Sequence, residues 1–264
     1  MIISHKHKYL FVAIPHTGST AISRELCENY GGVPILRKHA YYHEFLAIAN
    51  AEEKTYFVFV GIRNPLDEAI SLYFKYKTNH KGNYTNPERL RKNGGFVTNA
   101  DLRKFNFIKN TNADFPTYFK RFRTFPYDNL IRLSHKEFDF VIRFENLRDD
   151  FAQALRLIGI EQKRPLPTVN RTARKRRDFL SYYTPEIHER AKRVFGPFMK
   201  KWGYDFPPEW RDDPVPWSSQ LLFYVLGVFR KFYWQHLKRR GPFYARFFKA
   251  LKPGSGVSSK GMRY

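Results

Sequence analysis

The stretch Lys8-Tyr-Leu-Phe-Val-Ala-Ile14 runs straight into Pro15-His16-Thr17-Gly18-Ser19-Thr20 and then into a helical pattern over 21–30. A continuous β-prone run suits a strand covered on both faces, and such strands belong to parallel sheets whose crossovers are helices. Ile22, Leu26 and Cys27 share one side of the predicted helix, and Gly31-Gly32 closes it as helix C-termini prefer. The unit is strand, anion-sized loop, helix.

The unit recurs. Thr55 to Ile62 reads as a second buried strand, followed by Arg63-Asn64-Pro65-Leu66-Asp67, which opens a helix through Ser71 to about Lys77. Asn64 suits the N-cap, Pro65 the first helical position and Asp67 the first turn. Phe138 to Phe144 is a third strand and Leu147 to Ile158 an amphipathic helix ending at Gly159. Strands alternating with helices predict an α/β fold with a mostly parallel sheet.

Composition narrows the partners. Of 264 residues, 47 are Lys or Arg and 24 Asp or Glu, a net charge of +23, so the surface field attracts something anionic. Nucleotide, nucleic acid, acidic or sulfated glycan and anionic lipid all qualify. An aromatic content of 18% is far too rich for disorder. The single cysteine, Cys27, excludes an intrachain disulfide framework and a cysteine-rich zinc site, which makes a reducing compartment the default. The six apolar residues Tyr9 to Ile14 are too few for a signal-peptide core, and Leu221 to Phe229 falls short of the ~20 residues that span a bilayer. A cytoplasmic protein is expected.

The remaining chain divides by composition. Residues 78–100 are polar and glycine-bearing and predict a long loop, of the kind that serves as a lid or binding loop. Residues 161–177 hold seven Lys/Arg against one acid. Thr184, Pro185 and Glu186 open a further helix that Gly203 stops. Residues 211–264 carry eleven Lys/Arg and two Asp with many aromatics interleaved, and predict a helical appendage with a flexible end over 252–264. The expected organisation is a domain over 1–210 and a basic, aromatic C-terminal extension over 211–264. The extension has three readings: packing on the main domain, lying in a membrane interface, or holding a polyanionic acceptor.

A loop between a buried strand and a helix N-terminus aims backbone N–H groups at one spot, and the helix dipole adds to their pull on a phosphate or sulfate. Residues 15–20 have that placement but lack the Gly-Lys-Ser/Thr ending of a nucleotide triphosphatase loop. Arg63 at a strand end and Ser71 two helical turns later could hold one phosphate between a guanidinium and a hydroxyl. The bland alternatives are a capped turn in the first case and a capped helix beside an exposed Arg in the second.

Phe11-Val-Ala-Ile-Pro-His-Thr-Gly-Ser-Thr20 resembles the phosphosulfate-binding loop of sulfotransferases that use 3′-phosphoadenosine 5′-phosphosulfate (PAPS). Phe59-Val-Gly-Ile-Arg-Asn-Pro-Leu-Asp-Glu-Ala-Ile-Ser-Leu-Tyr73 is similar to that family's 3′-phosphate motif, with Arg63 and Ser71 eight residues apart. Weaker echoes over 140–151, 157–160, 170–177, 182–186 and 202–206 extend the likeness to about residues 8–207, most like the carbohydrate-modifying branch. The resemblance implies a P-loop-like sheet flanked by helices, with the helical extension outside it. It implies that Thr17, Gly18, Ser19 and Thr20 bind the 5′-phosphosulfate, that Arg63 and Ser71 bind the 3′-phosphate, and that Arg174 or its basic neighbours close over the nucleotide. No metal is implied, because sulfuryl transfer needs in-line positioning, neutralisation of the leaving phosphate and a base for the acceptor hydroxyl.

Two catalytic positions follow from the same resemblance. His16 stands where the family usually has a Lys that donates to the bridging oxygen, and an imidazole there implies a changed pH optimum or lost catalysis. His39 falls between the two motifs, where several carbohydrate sulfotransferases place a catalytic His; His43 and Glu44 are the other candidate bases, against plain surface residues on a connection. Asp67 and Glu145 are assigned no chemical step. The implied acceptor is a hydroxyl of a carbohydrate or glycolipid and not a nucleic acid; peripheral membrane contact through the extension, which lies outside the resemblance, stays one of its three readings. The rival readings are a P-loop phosphotransferase on a small metabolite and a non-catalytic polyanion binder.

Overall fold

The computed structural model describes residues 1–92, 97–129, 138–167, 178–210 and 214–234. They form two compact units, one from the described parts of 1–63, 128–169 and 224 onward, the other from those of 64–127 and 170–223.

The first unit is built on a five-stranded sheet. Its strands are β1 (Ile2–Ser4), β2 (Tyr9–Val12), β3 (Val33–Pro34), β4 (Phe57–Ile62) and β5 (Phe140–Arg143), in the order β3-β1-β2-β4-β5. β2, β4 and β5 are parallel, with Phe11 opposite Phe59 and Phe59 opposite Phe140. β1 and β3 add antiparallel pairs at one edge. Every residue of β2 is buried, as a strand covered on both faces requires. The helices α1 (Ser19–Asn29) and α7 (Leu147–Leu157) cover one face: Ile22 and Leu26 meet Phe151, Ala154 and Leu155 over Tyr9, Phe11, Phe59 and Ile142. A short helix, α2 (Tyr42–Leu46), follows β3.

Arg164, from the basic run over 161–177, is not a free surface charge. Its guanidinium donates to both oxygens of Glu25, a fully buried carboxylate on α1, at 3.0 and 2.9 Å. A buried carboxylate needs such a partner, and the cation that supplies it is committed to the fold.

The second unit is helical: α3 (Pro65–Lys77), α4 (Pro87–Lys92), α5 (Asn99–Thr111), α6 (Phe115–Phe122) and α8 (Pro185–Trp202). Aromatics dominate its packing, with Tyr73 against Phe115 and Tyr118, and Phe119 against Phe195. The predicted loop over 78–100 is broken by α4 and ends in the capping box of α5, where the Thr98 hydroxyl accepts from the Asp101 N–H and Asp101 accepts from the Thr98 N–H. α8 begins at Pro185 and is stopped by Gly203 in the left-handed conformation, as its local residues predict. Past it, α9 (Trp217–Phe232) opens the C-terminal extension. The basic cluster around Arg174, the expected flexible end over 252–264 and the rest of the extension from 235 lie outside the described residues.

Candidate active site

The loop after β2 is held in an uncommon backbone shape. His16 (φ 67) and Gly18 (φ 77) both adopt positive φ, and Gly18 is the N-cap of α1. The positive φ of Gly18 favours glycine, and a Cβ there would press on the Leu147 methyls at 2.9 Å. The Thr17 hydroxyl donates to the Ile14 carbonyl at 3.0 Å, and Thr17 is 2% exposed. Gly61 on β4 lets the loop lie close, since a Cβ there would sit 2.9 Å from Thr17 Oγ1. α1 has no side-chain cap and no acid in its first turn, so its first N–H groups and positive dipole end meet no carboxylate of their own helix.

Arg63 braces this loop from the neighbouring strand. It directly follows β4, is 7% exposed, donates from Nη1 to the His16 carbonyl at 3.2 Å, and stacks 4.0 Å from the Phe144 ring centroid. The bond to His16 O helps hold the strained residue in place.

The connection over 37–44 supplies the remaining groups. His39 Nδ1 lies 2.7 Å from the Ala13 carbonyl, two residues before the loop. A carbonyl can only accept, so Nδ1 carries the proton and Nε2 keeps the lone pair. Burial pushes the imidazole down to about 4; the Ala13 bond opposes this, and the charges of Lys38 and Arg37 add to it. Lys38 Nζ donates to Thr20 Oγ1 at 3.0 Å, placing an ammonium at the first turn of α1. Its pKa is lowered by burial and by the nearby Arg24. Glu44 forms an ion pair with Arg37 and accepts from the Tyr41 N–H, which commits its carboxylate to this connection. His43 stacks on Tyr41 with ring centroids 5.5 Å apart.

The first unit therefore gathers His16, Thr17, Gly18, Ser19, Thr20, Arg63 and His39. Ser71 lies on α3 in the second unit, where it is 1% exposed. Arg174 lies outside the described residues. Lys38 is the group that sequence reasoning missed: its adjacency to His39 was the only local sign, and the contact with Thr20 spans eighteen residues. Among the described residues no cluster of three or more His, Cys, Asp or Glu could hold a metal ion.

A model of the sulfotransferase family matches residues 1–201. The chain belongs to the sulfotransferase family. The match spans both the His16 loop and the Arg63 motif, and the observed α/β fold with its mostly parallel sheet core agrees with it. No curated protein and no solved structure matches the chain. Within the first unit the structure brings the N-terminus of α1, Lys38, Arg63 and the neutral ring of His39 to this loop.

Proposed function

We propose that this sulfotransferase takes PAPS as donor and transfers its sulfuryl group to a hydroxyl of a carbohydrate or glycolipid. The observation that carries the reading is the α1 N-terminus, free of carboxylates of its own helix and flanked by Lys38 and Arg63. That donor set suits a phosphosulfate: N–H groups, hydroxyls and cations converge there.

When bound, PAPS supplies an activated sulfuryl group on a phosphate leaving group. In this reading the N–H groups of Thr17 to Thr20 and the hydroxyls of Ser19 and Thr20 hold the 5′ end. The Thr17 hydroxyl, which donates to Ile14, holds the loop itself. Lys38 supplies the compact positive charge at the loop, with His16 as a second donor. Arg63 and Ser71 take the 3′-phosphate, and Arg174 closes over the nucleotide. His39 Nε2 receives the acceptor proton as the new S–O bond forms. An imidazole near 4 is a weak base, and the negative charge of the donor raises it toward the working range. Residues 1–210 carry this chemistry in a cytoplasmic enzyme, and 211–264 provide contact with a lipid surface.

Calorimetric titration with adenosine 3′,5′-bisphosphate, against ADP as the control without a 3′-phosphate, tests the reading. Tight binding that needs the 3′-phosphate is expected. Equal or absent binding of both nucleotides overturns it and favours a polyanion binder, which the +23 charge alone would serve.

A further inference from the structure

α9 carries its apolar residues on the side away from its own buried stripe. Ser219, Phe223 and Gly227 are buried at four-residue spacing, which is the inward face of a helix. On the opposite face Trp217, Leu221, Val225, Val228 and Phe232 are exposed, with Trp217 76%, Val228 71% and the adjacent Phe229 73% accessible. No charged residue interrupts 217–229, and Arg230 and Lys231 follow in the last turn. Soluble monomers rarely leave so continuous an apolar stripe in water.

We propose that this face of α9 is a docking surface for an anionic bilayer, lying in the interface with its apolar stripe among the acyl chains. The charge of the chain selects that occupant: from Pro214 to Tyr264 there are ten Lys/Arg and no Asp or Glu. Such a segment complements anionic headgroups. A homodimer through the same face would instead bring two acid-free, strongly cationic segments together. Length fixes the orientation: sixteen residues make about 24 Å of helix, short of the roughly 30 Å hydrocarbon core. No described helix is long and apolar enough to cross a membrane. Trp217 and Tyr224 at the exposed surface suit the headgroup boundary, where an apolar ring and a polar tip are both satisfied. The proposal deepens the lipid-surface part of the functional reading by naming the face and the lipid charge.

The test is co-sedimentation of the full chain with phosphatidylcholine vesicles, with and without phosphatidylserine. The wild type is expected to bind only the anionic vesicles, and Leu221→Glu with Val228→Glu to weaken binding by about tenfold or more. Phe125→Glu and Leu157→Glu together, which add the same two charges at exposed apolar sites outside α9, should bind as the wild type does. Tryptophan emission of the wild type should shift to the blue on anionic vesicles and be quenched by brominated acyl chains, and Trp217→Phe, which removes an exposed one of the four tryptophans, should abolish most of that change. Wild-type binding with no effect of the double variant and no quenching overturns the α9 face while leaving a purely electrostatic lipid contact standing. No binding to anionic vesicles overturns both. A vesicle-independent dimer that the double variant dissociates assigns the face to a second copy instead.

Discussion

Two strand-to-helix junctions of this chain share a plan and differ in who answers the helix N-terminus. At the β4–α3 junction the protein answers it itself: the Asn64 side chain accepts from the Leu66 N–H at 2.9 Å, Pro65 removes a donor, and Asp67 and Glu68 sit in the first turn. At the β2–α1 junction Gly18 provides no side-chain cap, the first turn has no acid, and Lys38 adds a positive charge. A helix end satisfied from within has little left for an external anion. In the proposed reading the β2–α1 junction receives charge at its backbone, whereas the β4–α3 junction offers the Arg63 side chain.

The largest expected effect is at His39, the proposed base, which hangs on the β2–α1 junction and has no counterpart at the β4–α3 junction. His39→Ala should lower turnover by about 10²- to 10⁴-fold. Adenosine 3′,5′-bisphosphate binding should stay within a factor of about two, and an equal loss of affinity would make His39 a binding group instead. Next, Thr20→Asp gives α1 the kind of first-turn acid that α3 already has, and sets a carboxylate against Lys38. Nucleotide affinity should fall roughly a hundredfold, the effect of placing like charge where charge-assisted bonds of ~1.5–3 kcal/mol form. Retained affinity in calorimetry would mean that the helix end does not contact the ligand.

Arg63→Ala should weaken the same nucleotide by roughly 1.5 to 3 kcal/mol, the usual worth of a charged hydrogen bond, while ADP binding changes less. Asn64→Ala should cost about 1 kcal/mol in denaturant unfolding and leave nucleotide affinity unchanged, because the cap bond to the Leu66 N–H lies within the first turn of α3. The smallest effect is in pH. His39 takes its proton near 4 in the folded protein and near 6.5 when unfolded, so the unfolded chain binds more protons between those values. Stability should therefore decline as pH falls from about 6.5 toward 4, and His39→Gln should flatten that decline in thermal unfolding.

The features legible beforehand are those whose cause is local. Asn64-Pro65 and Thr184-Pro185 with Gly203 announce helix ends because their effects act within a few residues. The three-residue β1 was not foreseen, since its place comes from pairing Ile3 with Leu10. Residues 78–100 were misread because polar composition hides the short α4 and because the capping box that starts α5 depends on a reciprocal contact. The basic run over 161–177 held no local sign that Arg164 pairs with the buried Glu25, a partner far back along the chain.

The sequence by itself determined the β2–α1 and β4–α3 junctions, the positions of His16, Arg63 and His39 along the chain, and the positive field. Each follows from residue type, spacing or net charge, which need no knowledge of distant neighbours. Only the tertiary structure decided that His39 is held by Ala13 as a neutral ring, that Lys38 reaches Thr20, and that Arg63 grips the His16 carbonyl. It also turned the apolar stripe of α9 to the outside. Protonation state, cation placement and the facing of a helix depend on what surrounds a group in space, and packing of distant segments sets that.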